Sequence, residues 1–487
     1  MKKHSNTIRR SSDFRQEGIV GKGQPMKNNF LNVDIDLLKR FDRPGPRYTS
    51  YPTAPIFSED YGEEQFKTDL TRNNEENKAP VSLYLHIPFC DTLCYFCGCT
   101  MLVTRNRDYI QQYVDTLKRE IDMVARHIGS HRKVVQVAWG GGTPSYLTPT
   151  QIDDLSRFLR SKFTFAQDAE ISVEIDPRDL TLDHIKAFRN GGVNRVSLGV
   201  QDFNDEVQVA VNRLQPERIT MDAIEWSKSV GIDSINIDLI YGLPFQTLQT
   251  FQSTLDKVVD LSPNRLAVFN FAYVPWMKPH QKLIRQEDLP SPEVKLKLLK
   301  TTIEFLTSKG YEYIGMDHFA KPDDELAIAR HAKTLHRNFQ GYSTRAGADL
   351  FGFGMSAISH FGDVYAQNLK TVPQYSEAVN GGKFPTHVGY RMTRDDIIRK
   401  YVIMRLMCDL EVVKADVEGW FDVSFDEYFD QSLVQLNEFI GLGLVSNTLE
   451  KVVIEGAGRL LLRNIAMCFD AYITKVPKEK PIFSRTV

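Results

Sequence analysis

From Val81 onward the chain alternates short apolar runs with longer amphipathic ones. VSLYLHI (81–87), VVQVAW (134–139), EISVEID (170–176), RVSLGVQ (195–201), SINIDLIYG (234–242) and RLAVFNFA (265–272) read as buried strands. Between them, residues 107–127, TPTQIDDLSRFLRSKF, TLDHIKAFRNGG, ERITMDAIEWSKSVG and LQTFQSTLDKVVDL place apolar residues at helical spacing. PEVKLKLLKTTIEFLTSKG then leads to a further strand-like run, YEYIGMD (311–317). Strands that alternate with helices of ten or more residues form βαβ units and a parallel sheet. Six or seven such units in one run predict a barrel, complete or partial, over a small doubly wound sheet. Thr148 before Pro149 marks a helix start, and Gly191, Gly231 and Gly310 stand where helices should stop.

The flanks differ from this core. Residues 1–30 are polar and basic, lack the apolar stretch of a secretory signal, and are expected to form a loose extension. Residues 31–80 precede the barrel as an arm, and RPGPRYTSYPTAP within it reads as extended. The barrel and its accessory elements occupy 81–389. From about 390 the spacing in MTRDDIIRKYVIMRLMCDL and FDEYFDQSLVQLNEFIGLGLV predicts a mostly helical C-terminal domain, 390–487.

Composition narrows the function classes. The 487 residues are 42% hydrophobic and 25% charged, enough for more than one core. A formal net charge of −2 gives no sign of a nucleic-acid partner or an anionic membrane surface. No apolar run approaches the roughly 20 residues that span a bilayer. Four of the six cysteines fall within HIPFCDTLCYFCGCT (86–100), a distribution that fits metal or redox work in a reducing cytoplasm better than a disulfide framework.

Cys90, Cys94 and Cys97 have the spacing C-x3-C-x2-C in the loop after the first strand, which in a barrel lies on the catalytic face. A structural zinc site wants four ligands, usually as two separated pairs, and no second C-x2-C lies downstream. A [4Fe–4S] cluster takes four cysteines, so three would leave one iron open to a ligand. Cys99, two residues after Cys97, keeps the alternative of a fourth thiolate open. Gly140, Gly141 and Gly142, followed by Thr143 and Pro144, form a turn after the second strand that allows close backbone approach to a ligand. Glu174 and Asp176, Gln201 and Asp202, and Asp238 close later strands, where polar groups read as ligand contacts. Cys408 reads as helix core and Cys468 as a buried thiol. His86 and Pro88 read as shaping the loop, and His318 and His336 as equally poised between pocket and scaffold.

YLHIPFCDTLCYFCGC resembles the signature of the radical S-adenosylmethionine (SAM) superfamily. Its C-x-C extension, with PGPRYTSYPTA, WGGGTP, GVQDFN, NIDLIYGLP, IGMDHFA, HRNFQGY and RNIAMCFD, is similar to the oxygen-independent coproporphyrinogen III oxidase (coproporphyrinogen III dehydrogenase) family, from about residue 36 to the C-terminus. The resemblance implies an α/β fold, a partial (βα)6 TIM-like radical SAM barrel. It implies that Cys90, Cys94 and Cys97 hold a [4Fe–4S] cluster whose open iron is chelated by SAM, with Cys99 near the chemistry but not a ligand. Tyr84, Gly141, Glu174 and Ile358 match contacts to this SAM. Phe96, Gly142, Thr143, Gln201, Arg213, Asp238 and Ala272 match those lining a second SAM. The implied reaction is an oxidative decarboxylation. A radical derived from SAM takes hydrogen from the β-carbon of a propionate, and loss of CO2 and one electron leaves a vinyl group. Two propionates of coproporphyrinogen III are converted, giving protoporphyrinogen IX in anaerobic haem biosynthesis. Basic side chains should clamp the substrate carboxylates, with Arg47 as a candidate. An electron donor such as flavodoxin or ferredoxin, a cytoplasmic location and a monomeric state are implied as well. A haem chaperone built on the same barrel is the alternative reading, but such relatives typically lack Cys97-Gly98-Cys99 and the RYTSYPTA arm.

Overall fold

The computed structural model describes residues 34–473 and 483–486. The expected extension 1–30 lies outside the described residues. Twelve strands form one sheet: β1 (Val81–Ile87), β2 (Val134–Gly141), β3 (Phe165–Ile175), β4 (Arg195–Gln201), β5 (Ser234–Tyr241), β6 (Arg265–Asn270), β7 (Glu312–Gly315), β8 (His318–Ala320), β9 (Asp349–Phe353), β10 (Ile358–Phe361), β11 (Val364–Asn368) and β12 (Thr386–Arg391). Strands β1 to β6 run parallel in chain order, as the alternation predicts. This is the partial (βα)6 barrel.

Of the six or seven units read from the alternation, six form. The run YEYIGMD supplies β7, which turns back at Gly315 and Met316, both with positive φ, and pairs antiparallel with β8. Strand β8 in turn lies antiparallel to β6. At the opposite edge β9 joins β1 in parallel, and β10, β11 and β12 continue as an antiparallel meander. These four strands escape a reading tuned to strand–helix alternation, because hairpin turns connect most of them.

Period two organises each barrel strand. On β1, Leu83, Leu85 and Ile87 are fully buried in the apolar core shared with the outer helices, while Tyr84 and His86 between them border the barrel interior. Each such aliphatic side chain contributes about 1.5–3 kcal/mol through burial. A network at the foot of β1 adds polar order. Arg132 is fully buried, donating to Asp349 (2.5 Å), Asn73 (2.8 Å) and the Ala79 carbonyl (2.9 Å), which ties the entry to β2 to the start of β9.

The arm runs without regular strand or helix from 42 to 53, extended near 43–47 and bending at 48–52, with helices on both sides, Ile35–Phe41 and Glu63–Glu76, the second of which no sequence pattern announced. Leu38, Phe41, Tyr48, Tyr51 and Phe57 share a second apolar core with the C-terminal helices, including Val402, Leu406 and Phe469. Strand β12 runs to Arg391, and Thr393 caps the long helix Arg394–Asp409. Cys408 is buried in that helix and Cys468 in the same core. The C-terminal part is mostly helical, with one small antiparallel sheet of Glu411–Val413, Lys451–Ile454 and Val445–Asn447. No helix among the described residues is long and apolar enough to cross a membrane.

Candidate active site

The cysteine loop leaves the C-terminal end of β1 and is held from three sides. His86 donates from Nε2 to the Thr100 carbonyl (2.8 Å) and accepts at Nδ1 from the Tyr84 hydroxyl (3.2 Å). Burial pushes the His86 imidazole down to about 4, so it works as a neutral brace. Pro88 accepts from Leu102 N at 2.7 Å. Asn212 donates to the Leu93 carbonyl (2.8 Å), and Tyr95 N bonds Val211 O (3.0 Å). Lys278 reaches the Cys99 carbonyl (3.0 Å) and His280 the Cys97 carbonyl (2.8 Å). Nothing in the AYVPWMKPHQ segment signals this role, because the two residues lie in a loop without periodicity.

The glycine turn packs directly under the loop. Gly142 N donates to Ile87 O (2.8 Å) and Thr143 N to Phe89 O (3.0 Å). A Cβ on Gly142 would lie 2.7 Å from the Phe89 oxygen, and one on Gly140 would lie 2.7 Å from the Glu174 carboxylate. Gly141 has φ +119°, a region that excludes side chains, and its would-be Cβ meets Ile87 O at 2.7 Å. Gly141 and Gly142 are therefore fixed by close approach of backbone, while Gly140 meets only the side-chain ends of Glu174 and Tyr84.

The thiols differ in state. Cys94 is buried and receives N–H···S contacts from Arg178 (3.4 Å) and Arg213 (3.5 Å). The Cys99 amide donates to the Cys97 sulfur at 3.4 Å; the neighbouring Cys99 thiol, then this amide, hold the Cys97 thiol below its ordinary value, while Cys99 is pushed up. Burial and the neighbouring Cys97 push Cys90 up to about 12. Soft thiolates with N–H donors at sulfur are the donor set of an iron–sulfur site. Among the described residues, no three His, Cys, Asp or Glu side chains converge tightly enough to hold a single metal ion.

Beside the loop, a cavity of about 420 Å³ runs through the barrel, bordered by Tyr84, Glu174, Asp238 and Ile358 together with Phe269 and His318. Burial, then the facing Asp238, raises Glu174 to about 7; burial raises Asp238 to about 6 even though Ser197 (2.9 Å) and Asn236 (2.8 Å) donate to it. A second grouping adjoins Cys94. Burial alone would raise Asp176, but Arg213 (2.9 Å) and Arg178 (2.6 Å) hold it at about 2. Arg213 also donates to the Gly199 carbonyl (2.6 Å), the Gln201 amide lies 2.8 Å from where a Cβ on Gly199 would stand, and the Thr143 hydroxyl accepts from Asp176 N (3.0 Å). Gln281 links Phe96 and Ala272 by donating to both carbonyls (3.2 Å each), and Phe96 rests on the apolar patch of Val207, Val211 and Phe271.

The sequence-marked polar residues divide by the partners they find in the fold. Asp176 is committed to its two arginines. Asp202 is buried scaffold, accepting from Thr254 (2.7 Å), Gln246 (2.5 Å) and Asn204 N (2.8 Å). His318 faces the cavity, whereas His336 lies outside its lining on a separate hairpin. Arg47 is paired with Asp317. Arg178, Lys278, His280 and Gln281 were not singled out as site residues from sequence.

A parallel barrel with three thiols in its first βα loop and a glycine turn beneath them is the arrangement of a radical SAM enzyme, and residues 84–258 match the model of the Radical SAM superfamily. Residues 392–461 match the HemN C-terminal domain. The oxygen-independent coproporphyrinogen III oxidase of Escherichia coli K12 is 48% identical over 94% of this chain and 99% of its own length. That of Synechocystis sp. is 44% identical over 95% and 100%. The solved structure of the Escherichia coli coproporphyrinogen III oxidase, described as a radical SAM enzyme, superposes with a TM-score of 0.87 at 47% identity, covering 91% of this chain and 100% of that one. The chain belongs to the oxygen-independent coproporphyrinogen III oxidase family.

Proposed function

We propose that this chain oxidatively decarboxylates two propionate side chains of coproporphyrinogen III to vinyl groups, yielding protoporphyrinogen IX. The observation that carries the reading is the cysteine loop of a family member, seated on the glycine turn and opening beside the barrel cavity. Each conversion turns R–CH2–CH2–COO⁻ into R–CH=CH2 and CO2, with one hydrogen atom and one electron removed.

A [4Fe–4S] cluster and SAM supply the hydrogen-abstracting radical chemistry when bound. Cys90, Cys94 and Cys97 would hold the cluster. Their support is the loop geometry and the N–H donors from Arg178, Arg213 and the Cys99 amide. Cys99 stays outside the ligand set in this reading; what the structure gives it is a backbone amide that donates to the Cys97 sulfur. Tyr84, Gly141, Glu174 and Ile358 would contact the SAM at the cluster. Phe96, Gly142, Thr143, Gln201, Arg213, Asp238 and Ala272 would line a second SAM, a role supported by the links among Thr143, Asp176 and Arg213 and between Phe96 and Ala272. Glu174 and Asp238 place hydrogen-bonding groups in a cavity lined by both polar and aromatic side chains. A flavodoxin or ferredoxin donor, action as a monomer, a cytoplasmic location, and division into an arm (31–80), a barrel (81–389) and a C-terminal domain (390–487) belong to the same proposal. Anaerobic incubation of the reconstituted protein with SAM, reductant, a cell-extract electron acceptor and coproporphyrinogen III tests it. Vinyl product is expected; stable haem binding without product would assign the chain to haem delivery instead.

A further inference from the structure

Three guanidiniums meet where the arm passes between the barrel and the C-terminal helices. Arg463 donates to the carbonyls of Gly45 and Pro46 (3.0 Å to the latter), and Arg337 donates from Nε to the Arg47 carbonyl (3.1 Å). The backbone on both sides of Arg47 is thereby clamped. The Arg47 guanidinium pairs with Asp317 and lies 5.8 Å from the Phe269 ring centroid; that of Arg337 lies 4.7 Å from the centroid of Tyr342. Phe269, His318 and Tyr342 all border the cavity and pack edge-to-face in series, at 6.2 and 5.4 Å.

The charges do not balance. Asp317 pairs with Arg47 and Asp42 acts on Arg463, so three guanidiniums face two carboxylates. Arg337 is 3% exposed, and its Nη1 is buried without a hydrogen-bond partner. A buried donor left in that state is costly unless a ligand completes it. Arg47 is different: 33% of its side chain remains accessible, and its guanidinium reaches the cavity wall through Phe269, while neither it nor Arg337 is among the residues bordering the cavity itself. Burial and then Arg337 and Arg463 push its guanidinium down to about 9, the sign expected where positive charge is in excess. His318, beside them, is likewise kept neutral by burial and by Arg337 and Arg47.

We infer that Arg47 and Arg337 form a carboxylate subsite for a propionate of the tetracarboxylate substrate, with Arg47 exchanging Asp317 for the substrate oxygen and Arg337 offering its free Nη1. This deepens the function proposed above and rests on it. Planar guanidiniums stacked on aromatic walls present a rigid fork to a carboxylate, and the rings beneath suit the pyrrole face of the same molecule.

The test is fluorescence titration of coproporphyrin III, the stable oxidised form with the same four carboxylates, against anaerobically reconstituted protein, alongside its tetramethyl ester and SAM. Arg337→Gln and Arg47→Lys are expected to weaken coproporphyrin III about tenfold or more. Ester and SAM affinities should stay within about twofold, and KM for coproporphyrinogen III should rise more than kcat falls. Asp317→Asn removes the competing carboxylate while keeping the fold's charge excess, and is expected to bind coproporphyrin III at least as tightly as wild type. Variants with unchanged coproporphyrin III affinity, equal losses for acid and ester, a loss confined to SAM, or weakened binding in Asp317→Asn with intact iron content would each overturn the subsite. A wild-type protein that produces no vinyl product would instead sink the proposed function, so the two failures are distinct.

Discussion

Gly142→Ala is the perturbation that most sharply probes how the cysteine loop is positioned. The added Cβ would sit 2.7 Å from Phe89 O and 2.8 Å from the Pro88 carbonyl carbon and oxygen, all backbone atoms. Ordinary carbon–oxygen contacts begin at about 3.3 Å, so the loop would have to retreat by about half an ångström. That movement stretches the bonds Gly142 N to Ile87 O (2.8 Å) and Thr143 N to Phe89 O (3.0 Å). Overpacking costs about 1–3 kcal/mol and a weakened hydrogen bond about 1 kcal/mol, a total of about 2–4 kcal/mol placed next to Cys90. Gly98 provides a control in the same loop: its Cβ would meet nothing within 4 Å, so Gly98→Ala should stay within about 0.5 kcal/mol. The assay is the thermal unfolding midpoint together with iron and acid-labile sulfide after anaerobic reconstitution. Gly142→Ala should melt lower and take up less iron, while Gly98→Ala matches wild type on both. Full iron and an unchanged midpoint in Gly142→Ala would refute the idea that this turn sets the loop.

Three further outcomes follow from the same structure. Arg132→Met strands the buried Asp349 carboxylate and should cost about 3–5 kcal/mol in denaturant unfolding, whereas Arg132→Met combined with Asp349→Leu should cost less than the sum of the two single changes. Glu120 is buried, accepts from Tyr375 (2.6 Å), Asn368 (2.6 Å) and Gly354 N (2.7 Å), and is raised by burial to about 7. Its folded pKa exceeds its unfolded value, so its contribution is fully present below about pH 4.3 and is lost as pH rises through about 7, on the order of 3 kcal/mol in all; Glu120→Gln should flatten the stability–pH profile across that window. Cys99→Ser should keep the iron that Cys97→Ser loses, and equal iron loss in the two variants would make Cys99 a ligand.

The barrel was legible because strand and helix periodicities alternate without interruption from β1 to β6, and the cysteine and glycine spacings mark their loops. What escaped has physical causes. YEYIGMD has a strand's composition, yet a positive-φ turn at Gly315 and Met316 folds it into a hairpin. The strand-end acids look alike in sequence, but Asp202 is saturated by scaffold donors and Asp176 by two arginines, while Glu174 and Asp238 face the cavity; only three-dimensional partners separate them. Lys278, His280 and Arg337 act from segments far along the chain, where no local pattern reveals their target.

The most direct measurement is the porphyrin product of anaerobic turnover, resolved by chromatography after oxidation, with 5′-deoxyadenosine counted in parallel. The account predicts protoporphyrin IX from coproporphyrinogen III with about two 5′-deoxyadenosines per product, and loss of both products in Cys94→Ser. Coproporphyrin III recovered unchanged from cluster-replete protein supplied with SAM, reductant and acceptor would contradict it.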